Sequence, residues 1–536
     1  MADSGVSTGE SVGAALRRQA ESRPDAPFLL FAERSWSFAE VHMQSQALAS
    51  ALEGLGVCRG DRIALDLPNW PEFVVGAFAA AELGASVVPL NPGYKPRELQ
   101  FMLRNSEASV VVSAESYGGV DYLQLFEPML SELPALQYLV TVGEEDLWYD
   151  DRIFQFEDLV SSGRGRERPA PELDPEEEVL AILYTPGTTG KAKGVMLSHA
   201  NLLRTADATA EALRLVSSDV TLCSVPLFHI FGLGAALLTA LASGSCVLLQ
   251  ERFAPAEALR LIERHGATVL HGVPTMFVML LREPGVAEAR LDTLRTGIVA
   301  GAPVSPELTR RVREKLVPGL EIAYGLTETS PTVSITRPTD APEDRTSSVG
   351  RPLEGVEVRL LDEQGEAVPT GSEGELAVRG YNVMRGYFRQ PTETAASFTA
   401  DGFLRTGDLA VADERGYLRI VGRKSDVLIR GGYNVHPREV EDHLRAHPAV
   451  LDAVVVGVPN EVLGELVCAC VLPVEGALIT EEELREYCRE DLAPYKVPDL
   501  VRFMEVFPMT SSGKARRVAL ARLVRAQEAS HRESRT

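Results

Sequence analysis

YTPGTTGKAKGV, residues Tyr184 to Val195, gathers glycines, threonine hydroxyls and two lysines, Lys191 and Lys193, into one short segment. It follows directly on the apolar run Val179 to Leu183 and leads directly into another, Val195 to Leu197. A flexible, cationic, hydroxyl-rich loop between two buried strands has the chemistry of a polyphosphate cradle, because glycine lets backbone N–H groups approach phosphate oxygens and lysine supplies charge. The common P-loop is a different pattern. It needs G-x-x-x-x-G-K-[ST] opening a helix, whereas here Ala192 stands five residues after Gly187 and the chain returns to a strand-like run. Taken alone, the stretch also reads as a Gly/Thr/Lys-rich surface turn.

Upstream of the loop, strands and helices alternate. Phe38 to Leu55 has apolar residues at helical spacing and a stop at Gly56, Arg62 to Leu67 reads as a strand, Glu72 to Leu83 as a helix, Ser86 to Leu90 as a strand and Val110 to Val112 as the centre of another. This alternation implies crossover units and a parallel sheet. It resumes after the Pro/Glu-rich connector Pro169 to Glu178 with helices predicted over Ala200 to Leu215, Ala256 to His265 and Pro306 to Leu316, and strands over Thr221 to Pro226 and Thr268 to Leu270. Two strand ends, GIVAGAP (Gly297 to Pro303) and IAYGLTETSP (Ile322 to Pro331), belong near the opening loop, since ligands of open parallel sheets sit outside the carboxyl ends of strands. From Val349 short Gly-punctuated runs predict hairpins or a small barrel, and from about Lys424 a small α+β unit follows.

A chain of 536 residues exceeds what one core supports, so at least two domains are expected. The net charge of -23 argues against nucleic acid or an anionic membrane as the main partner; an anionic ligand must be met by local basic clusters. Cys58, Cys223, Cys246, Cys468, Cys470 and Cys488 are scattered, which suits reduced, mostly buried thiols in a cytoplasmic protein better than a disulfide framework or a zinc site. The first residues, MADSGVSTGESVGAALRRQ, lack a signal pattern and are expected to be retained and to fray; the tail beyond Arg522 is expected to be mobile. Ile230 to Leu249 carries no charge, but its glycines and serines divide it into a core helix and a core strand rather than a transmembrane span.

Together these motifs, in order from about Ser35 to about Val518, resemble the adenylate-forming superfamily of acyl-CoA synthetases, luciferases and peptide-synthetase adenylation domains, and most of all bacterial AMP-forming acyl-CoA ligases for fatty or aryl acids. The resemblance implies an α/β fold: a large domain over residues 1–424, of parallel-rich sheets and a barrel-like subdomain, and a small mobile α+β domain over 425–536. It implies ATP, magnesium and CoA as the groups used, with a carboxylic acid adenylated and then transferred to the CoA thiol. Thr185, Thr188, Thr189, Gly190, Lys191 and Lys193 would hold the phosphates, and Tyr324 with Gly301, Ala302, Pro303 and Gly325 the adenine. Thr327 would meet the α-phosphate, Glu328 the magnesium, and Asp408 and Arg423 the ribose. Lys514 would stabilise charge during adenylation, and Gly431 and Gly432 would flank the pantetheine tunnel. By residue type alone, Tyr324 reads as core, Asp408 as a turn former and Lys514 as a solvated charge.

Three positions depart from the family pattern: Pro186 for the usual Ser, Ala192 for the usual Pro, and Ser425 at the hinge, where Asp or Lys is commoner. The acyl pocket would be lined by His229, Phe231, Ala300, Gly301, Gly325 and Pro331, with His229 grouped among the catalytic residues as a gate beside the carboxylate and given no acid–base role. Pro226 to Gln250 contains no Lys or Arg, which disfavours small diacids. A fatty acid is the first expectation and an aryl or cinnamic acid the second. Transfer to a carrier protein and a non-catalytic lipid- or nucleotide-binding role are the rivals, and a homodimer is compatible with all of them.

Overall fold

The computed structural model describes residues 9–143, 150–166, 168–169, 171–185, 192–431, 433–460, 462–509 and 515–533, without the side chains of 528–533. Among these, two large sheets organise the first three hundred and ninety or so residues. One has eight strands in the order Gly386–Tyr387, Lys193–Ser198, Val179–Thr185, Ser86–Pro89, Arg62–Asp66, Val110–Ala114, Tyr138–Val142 and Ile153–Gln155. From Val179–Thr185 outward its strands are parallel, as crossover units require, while Lys193–Ser198 turns back antiparallel.

The other has nine strands, with Gly319–Tyr324, Thr296–Val299, Val269–Leu270, Val220–Cys223, Cys246–Leu249 and Pro27–Phe31 as a parallel core. Both cores are Val/Ile/Leu/Ala-rich and buried, the signature of parallel strands covered on both faces. Helices between strands stop where glycine takes the left-handed conformation, as at Gly84 (φ 71°) after Pro71–Leu83 and Gly266 (φ 61°) after Pro255–His265.

Beyond the large sheets, Val356–Leu361, Glu373–Gly380, Leu404–Ala412 and Leu418–Arg423 form an antiparallel four-stranded sheet. The short turn Lys424–Asp426 then leads to a smaller unit, in which Val450–Asn460 and Gly464–Pro473 pair along their length under the helices Pro437–Arg445 and Glu481–Asp491.

The uncharged stretch Ile230 to Leu249 is a core helix and a core strand, as expected. Its helix is π-wound over Phe231–Leu238 before becoming α-helical at Thr239–Ser243, and the strand is Cys246–Leu249. Among the described residues no helix is long and apolar enough to cross a membrane.

Two expectations are corrected. Val12–Ser22 is not frayed but helical, capped by Ser11, with Leu16 fully buried, its Val12 N–H on His199 Nδ1 (3.2 Å) and Gln19 Nε2 on the Leu241 carbonyl (3.0 Å). Likewise Arg517–Glu533 forms one helix that buries Leu520 and Val524 against the long hairpin, so part of the tail beyond Arg522 is docked. Five of the six cysteines are buried, and only Cys58 is exposed.

Candidate active site

Four neighbouring parallel strands, Val220–Cys223, Val269–Leu270, Thr296–Val299 and Gly319–Tyr324, end on one edge of the nine-stranded sheet. The segments leaving them therefore converge: the PLFHIFG run, His271, the bend at Ala300 to Pro303, and the turn Thr327–Thr329. Gly301 adopts φ +83°, a conformation open to glycine at little cost, and its strand lies in register beside the one ending at Tyr324.

Asn69, just beyond the carboxyl end of Arg62–Asp66, joins the two sheets here. Its amide donates to the carbonyls of Cys223 (3.3 Å), Val225 (3.1 Å) and Gln250 (3.0 Å), and its oxygen accepts the Leu227 N–H (2.8 Å).

The opening loop is the connection of a hairpin. Thr185 and Lys193 are register partners, so its two flanks emerge side by side; Pro186, Thr188, Thr189, Gly190 and Lys191 lie outside the described residues. The Lys193 ammonium stands 4.6 Å from the centre of the Tyr387 ring. Tyr387 Oη in turn donates to Glu328 Oε1 (3.0 Å), and the Glu328 carbonyl accepts from Met384 N (3.0 Å). Burial and the adjacent Glu328 carboxylate both push the Tyr387 hydroxyl far above its ordinary range, so it remains a donor. Tyr387 thus ties the loop flank to the acid of the YGLTE turn.

A second cluster unites three stretches. Tyr324 Oη donates to Asp408 Oδ2 (2.7 Å), and Arg423 Nε donates to Asp408 Oδ1 (2.9 Å) from the register position directly opposite. Burial and Asp408 raise the Tyr324 hydroxyl well above its usual value; burial works against charge on Arg423, but Asp408 outweighs it and holds the guanidinium firmly protonated. Each carboxylate oxygen has one protein donor and room to accept another hydrogen bond.

The PLFHIFG run and the segment Tyr324 to Pro331 are packed closely on backbone and proline. A Cβ on Gly232 would lie 2.1 Å from the Pro226 carbonyl oxygen, one on Gly234 2.8 Å from Pro331 Cδ, and one on Gly325 1.6 Å from the Pro331 carbonyl oxygen. His229 begins the turn into the π-helix, with its N–H on the Pro226 carbonyl (3.1 Å) and its Nδ1 accepting from Phe231 N (3.2 Å). The Phe231 ring centre is 6.1 Å from that of His271, which is wholly buried and accepts the Ile298 N–H on Nδ1 (3.1 Å). Burial lowers His271 to about 4, so the ring is neutral at physiological pH.

On the small unit, Gly431 (φ 58°) donates to the Leu463 carbonyl (2.8 Å), and Arg430 is paired with Asp499 (2.6 Å); Gly432 is outside the described residues. Lys514 also lies outside them. Its flanks meet through the Met509/Ala515 bridge and the Arg516 N–H on the Pro508 carbonyl (2.7 Å). No cluster of three or more metal-ligating side chains exists among the described residues.

Asn69, Tyr387 and His271 escape the sequence reading. Asn69 and Tyr387 act through partners far away in sequence. His271 alone left a signal, a polar residue directly after a strand.

A glycine-rich hairpin tied through Tyr387 to the YGLTE turn, a clamped Asp–Tyr–Arg cluster and an uncharged buried helix beside the strand ends are the features of an adenylate-forming ligase. The family model for the AMP-binding enzyme matches residues 16–388, and that for the AMP-binding enzyme C-terminal domain matches residues 439–514. The chain belongs to the AMP-binding enzyme family and is an AMP-forming acid–thiol ligase.

A putative acyl-CoA synthetase, YngI, from Bacillus subtilis is 36% identical over 95% of this chain and 96% of its own length. The mitochondrial medium-chain acyl-CoA ligase ACSF2 of Mus musculus is 33% identical over 95% of this chain and 87% of its own. Among solved structures, the anthranilate CoA ligase AuaEII in complex with anthranoyl-AMP superimposes with a TM-score of 0.89 at 27% identity, covering 98% of this chain and 99% of that one.

Proposed function

We propose that the protein activates an apolar monocarboxylic acid, a fatty acid foremost, as its acyl adenylate and passes the acyl group to CoA, releasing pyrophosphate and then AMP. The observation that supports the substrate class is the lack of basic residues in the buried segment that follows the strand Val220–Cys223. Residues 226–250 include no Lys or Arg, Phe231–Leu238 is buried throughout, and the His271 imidazole beside Phe231 is neutral. A second carboxylate would meet no cation there and would lose its hydration. The relatives named medium-chain ligases support an aliphatic acid. An aryl acid is the second reading, supported by the likeness to AuaEII.

In this reading Thr185 and Lys193, with Thr188, Thr189, Gly190 and Lys191 between them, hold the β- and γ-phosphates. Tyr324 and the Gly301–Ala302–Pro303 bend hold adenine, Thr327 the α-phosphate, and the unused acceptor capacity of Asp408 the ribose hydroxyls, with Arg423 fixing the carboxylate. Glu328 fits a magnesium ligand, because that ion takes one or two carboxylates beside phosphate oxygens and Tyr387 occupies only Oε1. Magnesium, when bound, supplies positive charge to the phosphoryl oxygens.

The small domain begins at Ser425 and turns on Lys424–Asp426, exchanging Lys514 for the Arg430–Tyr433 turn between half-reactions. His229 supplies the gate beside the carboxylate, and Phe231, Ala300, Gly301, Gly325 and Pro331 line the acyl pocket with it.

The test is AMP release with alkanoic, aryl and cinnamic acids, each with and without CoA. The account expects medium to long alkanoates to give the highest kcat/KM and the CoA thioester as product. A preference for dicarboxylates, or acyl transfer only to a carrier protein, would contradict it.

A further inference from the structure

Opposite charges that stand close together in a partly buried site attract each other strongly and pair unless something keeps them apart. Lys193, at the flank of the opening loop, and Glu328, in the YGLTE turn, are both half-buried. Among the described residues neither makes an ion pair, with the other or with any further side chain. One residue touches both. The Tyr387 ring carries the Lys193 ammonium 4.6 Å from its centre, and the Tyr387 hydroxyl donates to Glu328 Oε1 (3.0 Å), so a single side chain holds the cation on its face and the acid at its edge.

The backbone fixes that ring in place. Gly386–Tyr387 runs antiparallel to Lys193–Ser198 with Tyr387 opposite Val195. Arg385 N–H bonds the Met196 carbonyl (2.9 Å) and Phe388 N–H the Gly194 carbonyl (2.7 Å), while Met384 N–H bonds the carbonyl of Glu328 itself (3.0 Å). The Tyr387 N–H is taken by Thr394 Oγ1 (2.9 Å), and Gly386 holds φ +135° where a Cβ would lie 2.8 Å from Thr394 Cγ2. Residues 384–388 therefore bridge the turn that carries Glu328 and the strand that carries Lys193.

A tyrosine that only fills a core needs apolar neighbours for its ring and any acceptor for its hydroxyl. Tyr387 has an ammonium and a carboxylate instead, each from a different stretch of the site. Burial and the Glu328 carboxylate keep its hydroxyl protonated, so it adds no third charge. Its hydrogen bond engages Oε1 and leaves Glu328 Oε2 without a protein donor among the described residues.

We propose that Tyr387 is a positioning residue of the adenylation half-reaction: it holds Lys193 and Glu328 apart, so that the ammonium stays available to phosphate and the carboxylate to magnesium. The inference rests on the roles proposed above for those two residues. Without the ring, the lysine and the glutamate would neutralise each other, and ATP would have to break that pair before either could serve it.

Two variants of the full chain separate the hydroxyl from the ring. Tyr387→Phe keeps the ring beside Lys193 and removes the hydrogen bond to Glu328; Tyr387→Leu removes the ring as well. The readouts are the calorimetric Kd for ATP without acid, with and without magnesium; acid-dependent ATP–pyrophosphate exchange against free magnesium; and thioester formation from supplied acyl adenylate and CoA, where no triphosphate is present. Tyr387→Phe is expected to raise the magnesium concentration for half-maximal exchange about tenfold, the scale of one hydrogen bond to a charged group, and to leave the magnesium-free Kd for ATP unchanged. Tyr387→Leu is expected to weaken ATP without magnesium too. Adding Glu328→Gln should then restore magnesium-free ATP binding more in the Tyr387→Leu background than the same change improves it in the unaltered protein, because there it also releases Lys193. Thioester formation is expected to be retained in both single variants.

An unchanged magnesium response in Tyr387→Phe would overturn the inference, as would equal effects of Glu328→Gln in the two backgrounds or parallel losses in both half-reactions. If Glu328→Gln alone left the magnesium dependence of exchange untouched, the metal-ligand reading of Glu328 would fall and the inference with it; the other outcomes overturn the inference alone.

Discussion

Asp408 carries two donors on one buried carboxylate, and among the described residues Asp66 has none. In the first case the chain surrounds an acid, the proposed ribose ligand, with a tyrosine and an arginine whose protons are held in place. In the second, a fully buried side chain at the end of Arg62–Asp66 has no hydrogen-bond partner for either oxygen among the described residues, and burial pushes its carboxyl up to about 7. The sign of the stability effect follows from linkage. The folded value lies above the unfolded value of about 3.9, so the folded state binds the extra proton and stability is lost as pH rises from about 4 through 7. Complete loss corresponds to an upper limit on the order of 4 kcal/mol. Asp66→Asn should remove this slope, making the variant the more stable form at pH 8 and bringing it close to the unaltered protein at pH 5, as read from urea midpoints. Parallel pH profiles for the two proteins would contradict the assignment.

At the scale of elements, Asn69 stitches the strand end of one sheet to the turn that leaves Val220–Cys223 in the other, where the acyl pocket is proposed. Asn69→Ala leaves the buried carbonyls of Cys223, Val225 and Gln250 and the N–H of Leu227 without this partner, at a cost of about 3 kcal/mol. The segment it releases leads to His229, so KM for the acid should rise severalfold while KM for ATP is held. An equal change in both constants would mean that Asn69 acts only on stability.

The legibility of these elements in sequence follows their physics. Val179–Thr185 and Arg62–Asp66 are short apolar runs bounded by polar residues or glycine, and could be read directly. The π-winding of Phe231–Leu238 could not, because an uncharged run with Gly232 and Gly234 has no polar face from which to read a period. Val12–Ser22 looked like a fraying terminus because what holds it, His199 and Leu241, lies about two hundred residues away. The site divides in the same way. Tyr324, Glu328, Asp408 and Arg423 sit in compact motifs, whereas Tyr387 gains its place only when Gly386–Tyr387 pairs beside Val195 and Met196.

For the molecule as a whole, the question is how one pocket performs two reactions. On the proposed function, the large domain would supply the phosphate site at Thr185 and Lys193, the ribose site at Asp408 and the acyl pocket, and the smaller unit would supply Lys514 and the Arg430–Tyr433 turn. Lys424 reaches back to Glu375 (3.0 Å) and Arg430 is fixed to Asp499, so the connecting segment is tied to the large domain at one end and to the small unit at the other.

The proposed function has adenylation and thioester formation depend on different small-domain residues. The most direct measurement is therefore Lys514→Ala assayed in the two half-reactions separately: acid-dependent ATP–pyrophosphate exchange, and thioester formation from supplied acyl adenylate and CoA. The account predicts that exchange falls by about a hundredfold or more, the scale of one lost transition-state charge contact, while thioester formation stays within a few fold of the unaltered protein. Equal loss in both half-reactions would contradict it.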